Sequence, residues 1–356
     1  MAERKARLGF IGAGWWATAN HLPLLAARED VELAGVCRLG REELEQVQRR
    51  FGFGFATEDY RELLDRVALD AVVVASPHTL HAEHARAALE RGLHVMCEKP
   101  LTTRAADARE LVRLADERGL HLLVPYGWHY KPFVQEARRR LQDGAIGRIE
   151  YVLCHMASPI RRLLTGDATP ADLAGGQAGE ADFAPDPRTW ADPQIAGGGY
   201  GHAQITHSAG MLFWLSNLRP EAVFAMMSAP GSEVELYDAI SVRFQGGAIG
   251  SLSGAGAIPE GNPFQVDLRF FGEEGMLLLD LERARLELLR HDGANASVRL
   301  EADAGGYSCE GPPANFIDLV LGKTTENHAP GWAGLRAVEL LDAAYRSARS
   351  GVVEAV

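Results

Sequence analysis

Cysteine is scarce in this sequence, with four residues in a chain of 356, and the four lie far apart. None of them forms a Cys-x-x-Cys pair, which is the spacing expected of many zinc and redox sites. Histidine, cysteine and carboxylate residues also show no cluster with metal-ligand spacing, so we predict no bound metal. Unpaired thiols buried in a reducing compartment are the simplest interpretation, and we expect a cytoplasmic protein.

An excess of positive charge is missing as well. The formal net charge is −12 at pH 7, whereas nucleic acids and anionic membranes are bound by basic surfaces. No apolar run approaches the roughly 18 residues of a membrane span, and no signal-peptide cleavage pattern follows the N-terminus. We therefore expect a partner that is neither nucleic acid nor membrane.

What the sequence does contain is a glycine-rich turn near its start. Residues 7–17 read RLGFIGAGWWA, a short apolar run followed by a Gly-x-Gly-x-x-Ala motif. Such a turn brings backbone close to a pyrophosphate and aims the free N–H groups of a helix start at it. An ordinary strand–turn–helix shows the same pattern, so the motif alone does not decide. The candidate cofactor residues of this turn are Gly12, Gly14, Trp15 and Trp16.

Strand and helix patterns alternate through residues 1–126, which we interpret as one NAD(P)-binding domain. Strands are predicted at Leu8–Ile11, Val31–Cys37, Ala71–Ala75, His94–Cys97 and Leu120–Val124. Helices are predicted at Trp15–Ala27, Arg41–Phe51, Leu80–Arg91 and Thr103–Arg118. This order predicts a Rossmann-type doubly wound parallel sheet, whose ligands bind beyond the carboxyl ends of the strands.

Two arginines follow the second predicted strand, where an NAD-specific domain carries an acidic residue for the ribose. Arg38 and Arg41 stand there instead, and a guanidinium can hold a phosphate with two hydrogen bonds. We therefore favour NADP(H) as the cofactor. NAD(H) with both arginines in solvent is the alternative.

Polar residues also follow the next two strands. Ser76 and His81 come after the third strand and are candidate cofactor contacts. Glu98 and Lys99 come directly after the fourth, an adjacent acid and base at the same edge of the sheet. A solvated charged pair is the alternative at that position.

Residues 127–356 show mainly strand patterns, and we interpret them as an α+β domain for substrate binding and oligomerisation. Glycine turns between the strands predict a large, open and mainly antiparallel sheet. The predicted strands are Glu150–Met156, Ala222–Met227, Leu236–Phe244, Ala248–Ser253, Val266–Phe271, Met276–Leu281 and Leu286–Leu289. Helices are predicted at Phe133–Gln142 and Gly334–Ser350, the second of which could pack back on the first domain. The irregular stretch 158–196 is interpreted as a lid or specificity loop, with a disordered insertion as the alternative.

The sequence resembles the Gfo/Idh/MocA family through GAGWWA, SPHTLHAEHARAALERGLHVMCEKPL and the glycine triplet Gly197–Gly199. These are two-domain, nicotinamide-dependent oxidoreductases that act mostly on sugars and cyclitols. The resemblance implies that Lys99 faces the substrate hydroxyl beside the nicotinamide, that Pro100 fixes the turn, often in cis, and that Glu98 helps to shape the nicotinamide pocket. It also implies a homodimer or homotetramer formed through the C-terminal sheet.

In the family the triplet precedes Asp-x-x-x-His, whose acid and histidine accompany the lysine in catalysis. The histidine corresponds to His207, but Ala203 stands at the aspartate position. Either His202 or Gln204 replaces the acid, or Lys99 and His207 suffice. His129 departs from the family's usual Arg or Asn, and packing under Trp128 is its alternative. The candidate substrate residues are His129, Trp190, Tyr200, His202 and Gln204.

These observations predict an NAD(P)-dependent dehydrogenase or reductase, with NADP(H) favoured, acting on a ring carbon of a sugar, cyclitol or glycoside. Lys99, with its pKa lowered by burial and by a cation such as His207, or His207 itself, would exchange the hydroxyl proton. One alternative is an enzyme that keeps NAD(H) tightly bound and oxidises a sugar transiently to allow elimination, hydrolysis or isomerisation. A second alternative is a non-catalytic NADP-binding sensor.

Overall fold

Two β-sheets organise the part of the chain that the computed structural model describes, residues 4–168, 183 and 186–356. In these residues the first sheet has six parallel strands in the order β3-β2-β1-β4-β5-β6. The strands are β1 (Ala6–Ile11), β2 (Val31–Cys37), β3 (Phe55–Thr57), β4 (Ala71–Val74), β5 (His94–Cys97) and β6 (Leu122–Leu123). The strand order reverses beside β1, which opens a crevice at the carboxyl ends of β1 and β4. The predicted doubly wound parallel sheet is confirmed.

The central strand β4 shows why the sheet forms. Its sequence AVVV is buried at every position, as expected for a parallel strand covered on both faces. The helices of this half are α1 (Leu22–Ala26), α2 (Arg41–Phe51), α3 (Tyr60–Arg66), α4 (His81–Glu90) and α5 (Ala105–Arg118). The predicted helix at Trp15–Ala27 is in fact a π-helical turn, Ala17–His21, followed by α1.

The second sheet has nine strands within the described residues, in the order β14-β13-β12-β11-β7-β10-β9-β8-β15. All neighbours are antiparallel except β7 and β10, so the predicted mainly antiparallel sheet is confirmed. The strands are β7 (Ile149–Ala157), β8 (Pro220–Ser228), β9 (Tyr237–Phe244), β10 (Ile249–Ala255), β11 (Gln265–Gly272), β12 (Gly275–Asp280), β13 (Arg285–Arg290), β14 (Ala296–Val298) and β15 (Glu354–Ala355).

One face of this second sheet is covered and the other is open. Along β9 exposed and buried residues alternate strictly, with Ile240, Val242 and Phe244 turned inward. The other helices are α6 (Pro132–Gln142), α7 (Arg161–Thr165), α8 (Arg188–Ala191), α9 (Pro193–Ala196), α10 (Thr206–Ser216), α11 (Gly311–Val320) and α12 (Gly331–Ser350). Of these, α10 and α12 pack together, and α12 also packs on β8, so they cover the inner face.

The C-terminal helices join the two sheets. Phe316 and Ile317 of α11 belong to the apolar core around the parallel sheet. The long helix α12 contributes Val338 to that core, whereas its Leu340 and Leu341 belong to the core under the second sheet. The last helix therefore packs against both halves of the molecule.

The stretch 158–196 is described only in part. Residues 158–168 contain α7, and α8 and α9 lie between positions 188 and 196. Residues 169–182 and 184–185, which form the middle of the predicted loop, lie outside the described residues. The interpretation as a lid therefore stays a prediction.

Two further observations concern the described residues alone. None of their helices has both the length and the apolar content needed to cross a bilayer. No three of their histidine, cysteine or carboxylate side chains are arranged as ligands for a metal ion.

Candidate active site

A cleft of about 490 Å³ opens at the carboxyl edge of the parallel sheet. It is lined by the glycine-rich turn, the ends of β2 and β4, the turn after β5 and part of the segment around α8. Ten of the residues singled out from the sequence line it: Gly12, Gly14, Trp15, Trp16, Arg38, Ser76, His81, Glu98, Lys99 and Trp190. The topology thus brings together residues that are up to 178 positions apart (190 − 12).

The two glycines of the turn serve different purposes. Gly12 has φ +90°, and a Cβ there would lie 2.5 Å from the backbone of Ala75, so only glycine fits. At Gly14 a Cβ would meet nothing within 4 Å, and the backbone borders the open cleft. Gly12 therefore lets β1 turn tightly against the end of β4, and Gly14 leaves room for a ligand to approach.

Glu98 is buried and ties this turn to the next one. Its Oε1 accepts hydrogen bonds from Trp16 Nε1 at 2.9 Å and from His21 Nε2 at 2.6 Å. Its Oε2 accepts from the backbone N–H of Lys99 at 3.1 Å. Burial raises the pKa of Glu98, but the hydrogen bond and charge of His21 and the charge of Lys99 outweigh it, so the pKa lies below its usual range. Glu98 is thus an ionised link between the helical turn after Gly14 and the turn that carries Lys99.

Lys99 places its amine at the wall of the cleft. The side chain is buried, and Nζ donates to the carbonyl oxygen of Ala203 at 2.9 Å. The same nitrogen lies 5.3 Å from the ring centre of Trp190. The Lys99–Pro100 bond is cis, as the resemblance implied. Burial lowers the pKa of Lys99, and the charge of Glu98 offsets only part of that effect.

His81 is fully buried behind this turn. Its two ring nitrogens lie 2.7 Å from the carbonyl oxygen of Pro100 and 2.8 Å from that of Ser76. The Ser76 hydroxyl is itself paired with His84 Nδ1 at 2.9 Å. Both ring nitrogens of His81 therefore lie against backbone carbonyls of the turns after β4 and β5, and the neutral ring, which burial favours, donates to one of the two.

His207 lies at the start of α10 in an aromatic pocket. Its ring centre is 5.8 Å from Tyr126, 5.6 Å from Trp128 and 5.3 Å from Tyr307. Burial holds the pKa of His207 well below its usual range, and the charges of Lys99 and His129 act in the same direction. These effects favour the neutral form of the imidazole, and His207 is not among the residues that line the cleft. Nothing in the sequence pattern indicated Tyr126 or Tyr307 as its neighbours.

The position of the family's aspartate is occupied in an unexpected way. Ala203 lies in a π-helical turn, Gly201–Ile205, and its backbone carbonyl receives the hydrogen bond from Lys99. His202 is buried with its ring 4.6 Å from that of Tyr345, and Gln204 is half-buried. In the described residues neither side chain hydrogen-bonds to Lys99. A neutral carbonyl, rather than a substitute acid, therefore faces the amine.

Two candidate substrate residues are packed into the core instead. His129 is fully buried, lies 2.9 Å through Nδ1 from the carbonyl oxygen of His328, and stacks on Trp214 at 4.4 Å. Tyr200 is also fully buried, and its hydroxyl accepts a hydrogen bond from Ser158 at 3.0 Å. Neither lines the cleft, so the structure gives no support to a substrate contact by either. Packing, the alternative given for His129 in the sequence analysis, accounts for its position. The ring it stacks on is Trp214, whereas Trp128 was expected.

The glycine triplet also differs from expectation, because its close contacts are with protein. A Cβ at Gly198 would lie 2.3 Å from the hydroxyl oxygen of Tyr345, and one at Gly199 would lie 2.1 Å from the carbonyl oxygen of Glu235. The absence of side chains there allows the chain to pass between α12 and the start of β9. No approach to a ligand is needed to explain the triplet.

The two arginines after β2 are placed differently. Arg38 is half-buried, donates through Nη1 to the carbonyl oxygen of Ala13 at 3.0 Å, and stacks on Phe183 at 4.5 Å. Arg41 does not line the cleft: its side chain is 85% exposed and pairs with Glu45 one helical turn later. The cleft also contains Glu58, which accepts a hydrogen bond from the backbone of Gly40 at 2.8 Å. One arginine, not two, reaches the site.

Residues 6–126 match the family model described as "Oxidoreductase family, NAD-binding Rossmann fold", and residues 134–278 match the C-terminal domain model of the same GFO/IDH/MocA group. The chain belongs to the Gfo/Idh/MocA family. The resemblance inferred from the motifs is thereby confirmed.

Several proteins of this family are similar to the chain. A D-glucoside 3-dehydrogenase of Escherichia coli is 32% identical over 149 residues, which is 42% of either chain. A D-xylose 1-dehydrogenase (NADP+) of Haloarcula marismortui is 27% identical over 182 residues, 49% of this chain and 51% of that one. The chain thus matches about half the length of these relatives.

A solved structure covers the whole chain. The WlbA dehydrogenase of Chromobacterium violaceum, in complex with NADH and UDP-GlcNAcA, has a TM-score of 0.77 and 26% identity, with 100% of this chain and 97% of that one covered. Gfo/Idh/MocA architecture therefore extends over both sheets.

Proposed function

We propose that this protein transfers a hydride between NAD(P) and a CH–OH group of a sugar, cyclitol or glycoside, with NADP(H) as the preferred cofactor. The observation that carries the proposal is the buried Lys99 amine at the wall of a cleft whose other end is the Gly12–Gly14 turn. The named activities of the similar proteins, which include a glucoside and a xylose dehydrogenase, support the substrate class.

The glycine-rich turn fits a dinucleotide. A Cβ at Gly14 would meet nothing within 4 Å, whereas one at Gly12 would meet the backbone of Ala75, so the turn is open to a pyrophosphate at Gly14. The nicotinamide, when bound, would supply the hydride acceptor or donor. Arg38 is the one cation at the end of β2 that reaches the cleft, and a 2′-phosphate would give its guanidinium an anionic partner.

Lys99, which lines the cleft, and His207, which is not among its lining residues, are the two candidate groups for the hydroxyl proton. Oxidation of an alcohol needs a base, and the depressed pKa values of both side chains favour their neutral, proton-accepting forms. One hydrogen of the Lys99 amine is directed to the Ala203 carbonyl, which fixes the orientation of the nitrogen. In reduction the same groups would return the proton.

Trp190 is the candidate wall for the sugar ring. Its indole lines the cleft, lies 5.3 Å from Lys99 Nζ and contacts His78 edge-on at 5.4 Å. A flat apolar ring beside a polar amine suits the C–H face of a sugar whose hydroxyl points at the amine. His202, Gln204, His129 and Tyr200 are absent from the cleft lining.

We also propose that two copies associate through the open face of the second sheet. A row of apolar side chains crosses this face in adjacent register: Leu289, Met276, Phe271, Tyr151 and Ile249. Leu289 and Ile249 are 42% and 53% exposed, and Met226 on the same face is 64% exposed. Apolar surface of this extent on one face is typical of an interface, and a second copy is the occupant that the family resemblance implies.

A substrate screen tests the central proposal. Purified protein is offered a panel of sugars, cyclitols and glycosides with NADP+ or NAD+, and nicotinamide reduction is followed by absorbance. Turnover that is faster with NADP+ is the expected result. Cofactor that remains bound during purification, with product formed but no net change in absorbance, would indicate the transient-oxidation alternative instead. Tight NADPH binding with no turnover on the whole panel would contradict the proposal and indicate a sensor.

A further inference from the structure

A buried carboxylate outside the cleft holds the chain segment that faces Lys99. Glu235, just before β9, is 8% exposed. Its Oε2 accepts a hydrogen bond from the backbone of Gly199 at 2.7 Å, and its Oε1 accepts from the backbone of Gly201 at 2.9 Å. Oε1 also accepts from the hydroxyl of Tyr345 on α12 at 2.5 Å. Three donors from two elements therefore converge on one carboxylate.

The hydrogen bonds continue from this carboxylate to the amine. The carbonyl oxygen of Gly199 accepts from the backbone of Ala203 at 2.9 Å, and the carbonyl oxygen of Ala203 accepts from Lys99 Nζ at 2.9 Å. The backbone of Tyr200 also donates to the carbonyl oxygen of Glu235 at 2.9 Å. Glu235 thus holds the first turn of the helical run 201–216 in place. A negative charge is favourable there because unpaired backbone N–H groups gather at a helix start.

A second buried carboxylate interacts with Glu235. Asp238 is 4% exposed, and within the described residues neither of its oxygens has a hydrogen-bond partner. Burial and the charge of Glu235 together raise the pKa of Asp238 well above its usual range. Burial raises the pKa of Glu235 above its usual range as well, and the hydrogen bonds from Tyr345, Gly201 and Gly199 offset only part of that rise. Because Glu235 accepts three hydrogen bonds and Asp238 accepts none in the described residues, the geometry favours Glu235 as the ionised member of the pair.

We propose that Glu235 is a positioning residue for Lys99. It fixes the 199–203 segment so that the Ala203 carbonyl, at the place of the family's aspartate, orients the Lys99 amine in the cleft. Glu235 is not among the residues that line the cleft, and it holds the segment through the backbone N–H groups of Gly199 and Gly201. The inference rests on the proposed function for its effect on turnover, but the orientation of the amine can be measured without a substrate.

Glu235→Gln is the first test, because it keeps the size of the side chain but places an amide N–H₂ against donors. We expect kcat to fall about tenfold to a hundredfold, the effect of a displacement of about 1 Å at a catalytic group, with KM for the cofactor unchanged. Tyr345→Phe removes one of the three donors and should lower kcat in the same direction by less.

Asp280→Asn is the matched control. Asp280 is 3% exposed and accepts a hydrogen bond from the backbone N–H of Arg283 at 3.0 Å. Its replacement by Asn therefore also removes a buried carboxylate that a backbone donor contacts. It lies at the end of β12, on the side of the second sheet away from the strands next to residue 235. It should lower thermal stability without lowering kcat. If Glu235→Gln resembles Asp280→Asn, with lower stability and kcat within twofold of the unmodified protein, the proposal is wrong.

Lysine labelling gives a readout that needs no turnover. The chain has four lysines, so the acetylation rate of Lys99 can be compared with that of Lys131 and Lys323 by mass spectrometry across a pH series. We expect Glu235→Gln and Tyr345→Phe to change the pH dependence for Lys99 alone, and Asp280→Asn to leave it unchanged. Unchanged Lys99 labelling in both variants overturns the proposal. Altered labelling in a protein that turns over no sugar supports the positioning role and refutes the proposed function. If Glu235→Gln does not fold, Tyr345→Phe alone decides.

Discussion

The two ends of the cleft are built by different means. At the cofactor end, Gly12, Gly14 and the Glu98–Lys99 pair follow strands of one parallel sheet, and short-range sequence patterns place them. At the substrate end, the Ala203 carbonyl that meets Lys99 belongs to the turn before α10, a helix that packs on α6 and α12. A carboxylate 32 residues later (235 − 203) holds this turn in place. The first end depends on local motifs, and the second depends on long-range packing.

Removing the Lys99 amine tests the point at which the two ends meet, and should have the largest effect. Lys99→Ala deletes the group that orients and deprotonates the hydroxyl, so we expect turnover to fall by about 10² to 10⁴-fold. NADPH binding, measured by fluorescence titration, should persist because the glycine-rich turn is unaltered. Lys131→Ala, which also removes one positive charge, should leave turnover and NADPH binding unchanged. Turnover retained in Lys99→Ala would remove this residue from the mechanism.

Restoring the family's acid at the substrate end should shift the pH dependence. In Ala203→Asp a carboxylate would stabilise the charged form of Lys99, so its pKa should rise, by about one to three units for a close opposite charge. Oxidation needs the neutral amine, and the rising limb of the kcat profile should therefore move to higher pH. Reduction, which needs the protonated amine, should extend to higher pH by the same amount.

Ala203→Asn is the control for this shift, since it adds similar bulk to a buried position without charge. It should lower kcat without moving the profile. A profile that moves equally in both variants would mean that bulk, not charge, controls the amine. A profile that moves in neither would assign the proton to His207.

The same contrast explains what the sequence could and could not predict. Both sheets were predicted, because apolar runs such as AVVV alternate with helical patterns in residues 1–126 and glycine turns join the strand patterns of residues 127–356. Helix α10 was not predicted, because all its residues but the last are buried and it shows no amphipathic period. The start of α11, Gly-Pro-Pro, reads as a loop although proline suits a first helical turn.

The site shows the same division. Ten candidate residues line the cleft, nine of them from the first half of the chain. Within residues 127–356, the sequence suggested His129 and Tyr200, whose burial depends on Trp214 and Ser158, residues that are distant in sequence. The role of Glu235 had no signal at all, because a lone glutamate before a strand has no characteristic spacing from a glycine triplet. Contacts that form when the second sheet packs cannot be predicted from short sequence patterns, because their residues are far apart in the chain.

Cofactor preference is a smaller effect and concerns the cofactor end alone. Arg38→Ala should weaken NADPH binding about tenfold or more, since a charge-assisted hydrogen bond to phosphate contributes about 1.5 to 3 kcal/mol, and should change NADH binding much less. Arg41→Ala should weaken neither, because that side chain is exposed and paired with Glu45. Titrations of each variant with both nucleotides measure the four affinities. If both variants lost NADPH affinity equally, both arginines would contact the cofactor, as the sequence predicted.

The smallest effect on chemistry is expected from the outer face of the second sheet, which lies on the side of the sheet opposite α10 and α12. Ile249→Asp places a charge at one end of the apolar row, beside Tyr151 and Arg243, where a partner's apolar surface would have to desolvate it. We expect the mass measured by light scattering to fall toward that of one chain, while kcat changes by less than about threefold, because no residue of this face lines the cleft. Val352→Asp, at an equally exposed apolar residue outside the row, should leave the mass unchanged. If association and turnover are lost together, contacts between two copies at the outer face help to hold the Ala203 turn in place. The substrate end of the cleft would then depend on long-range packing within the chain and between chains.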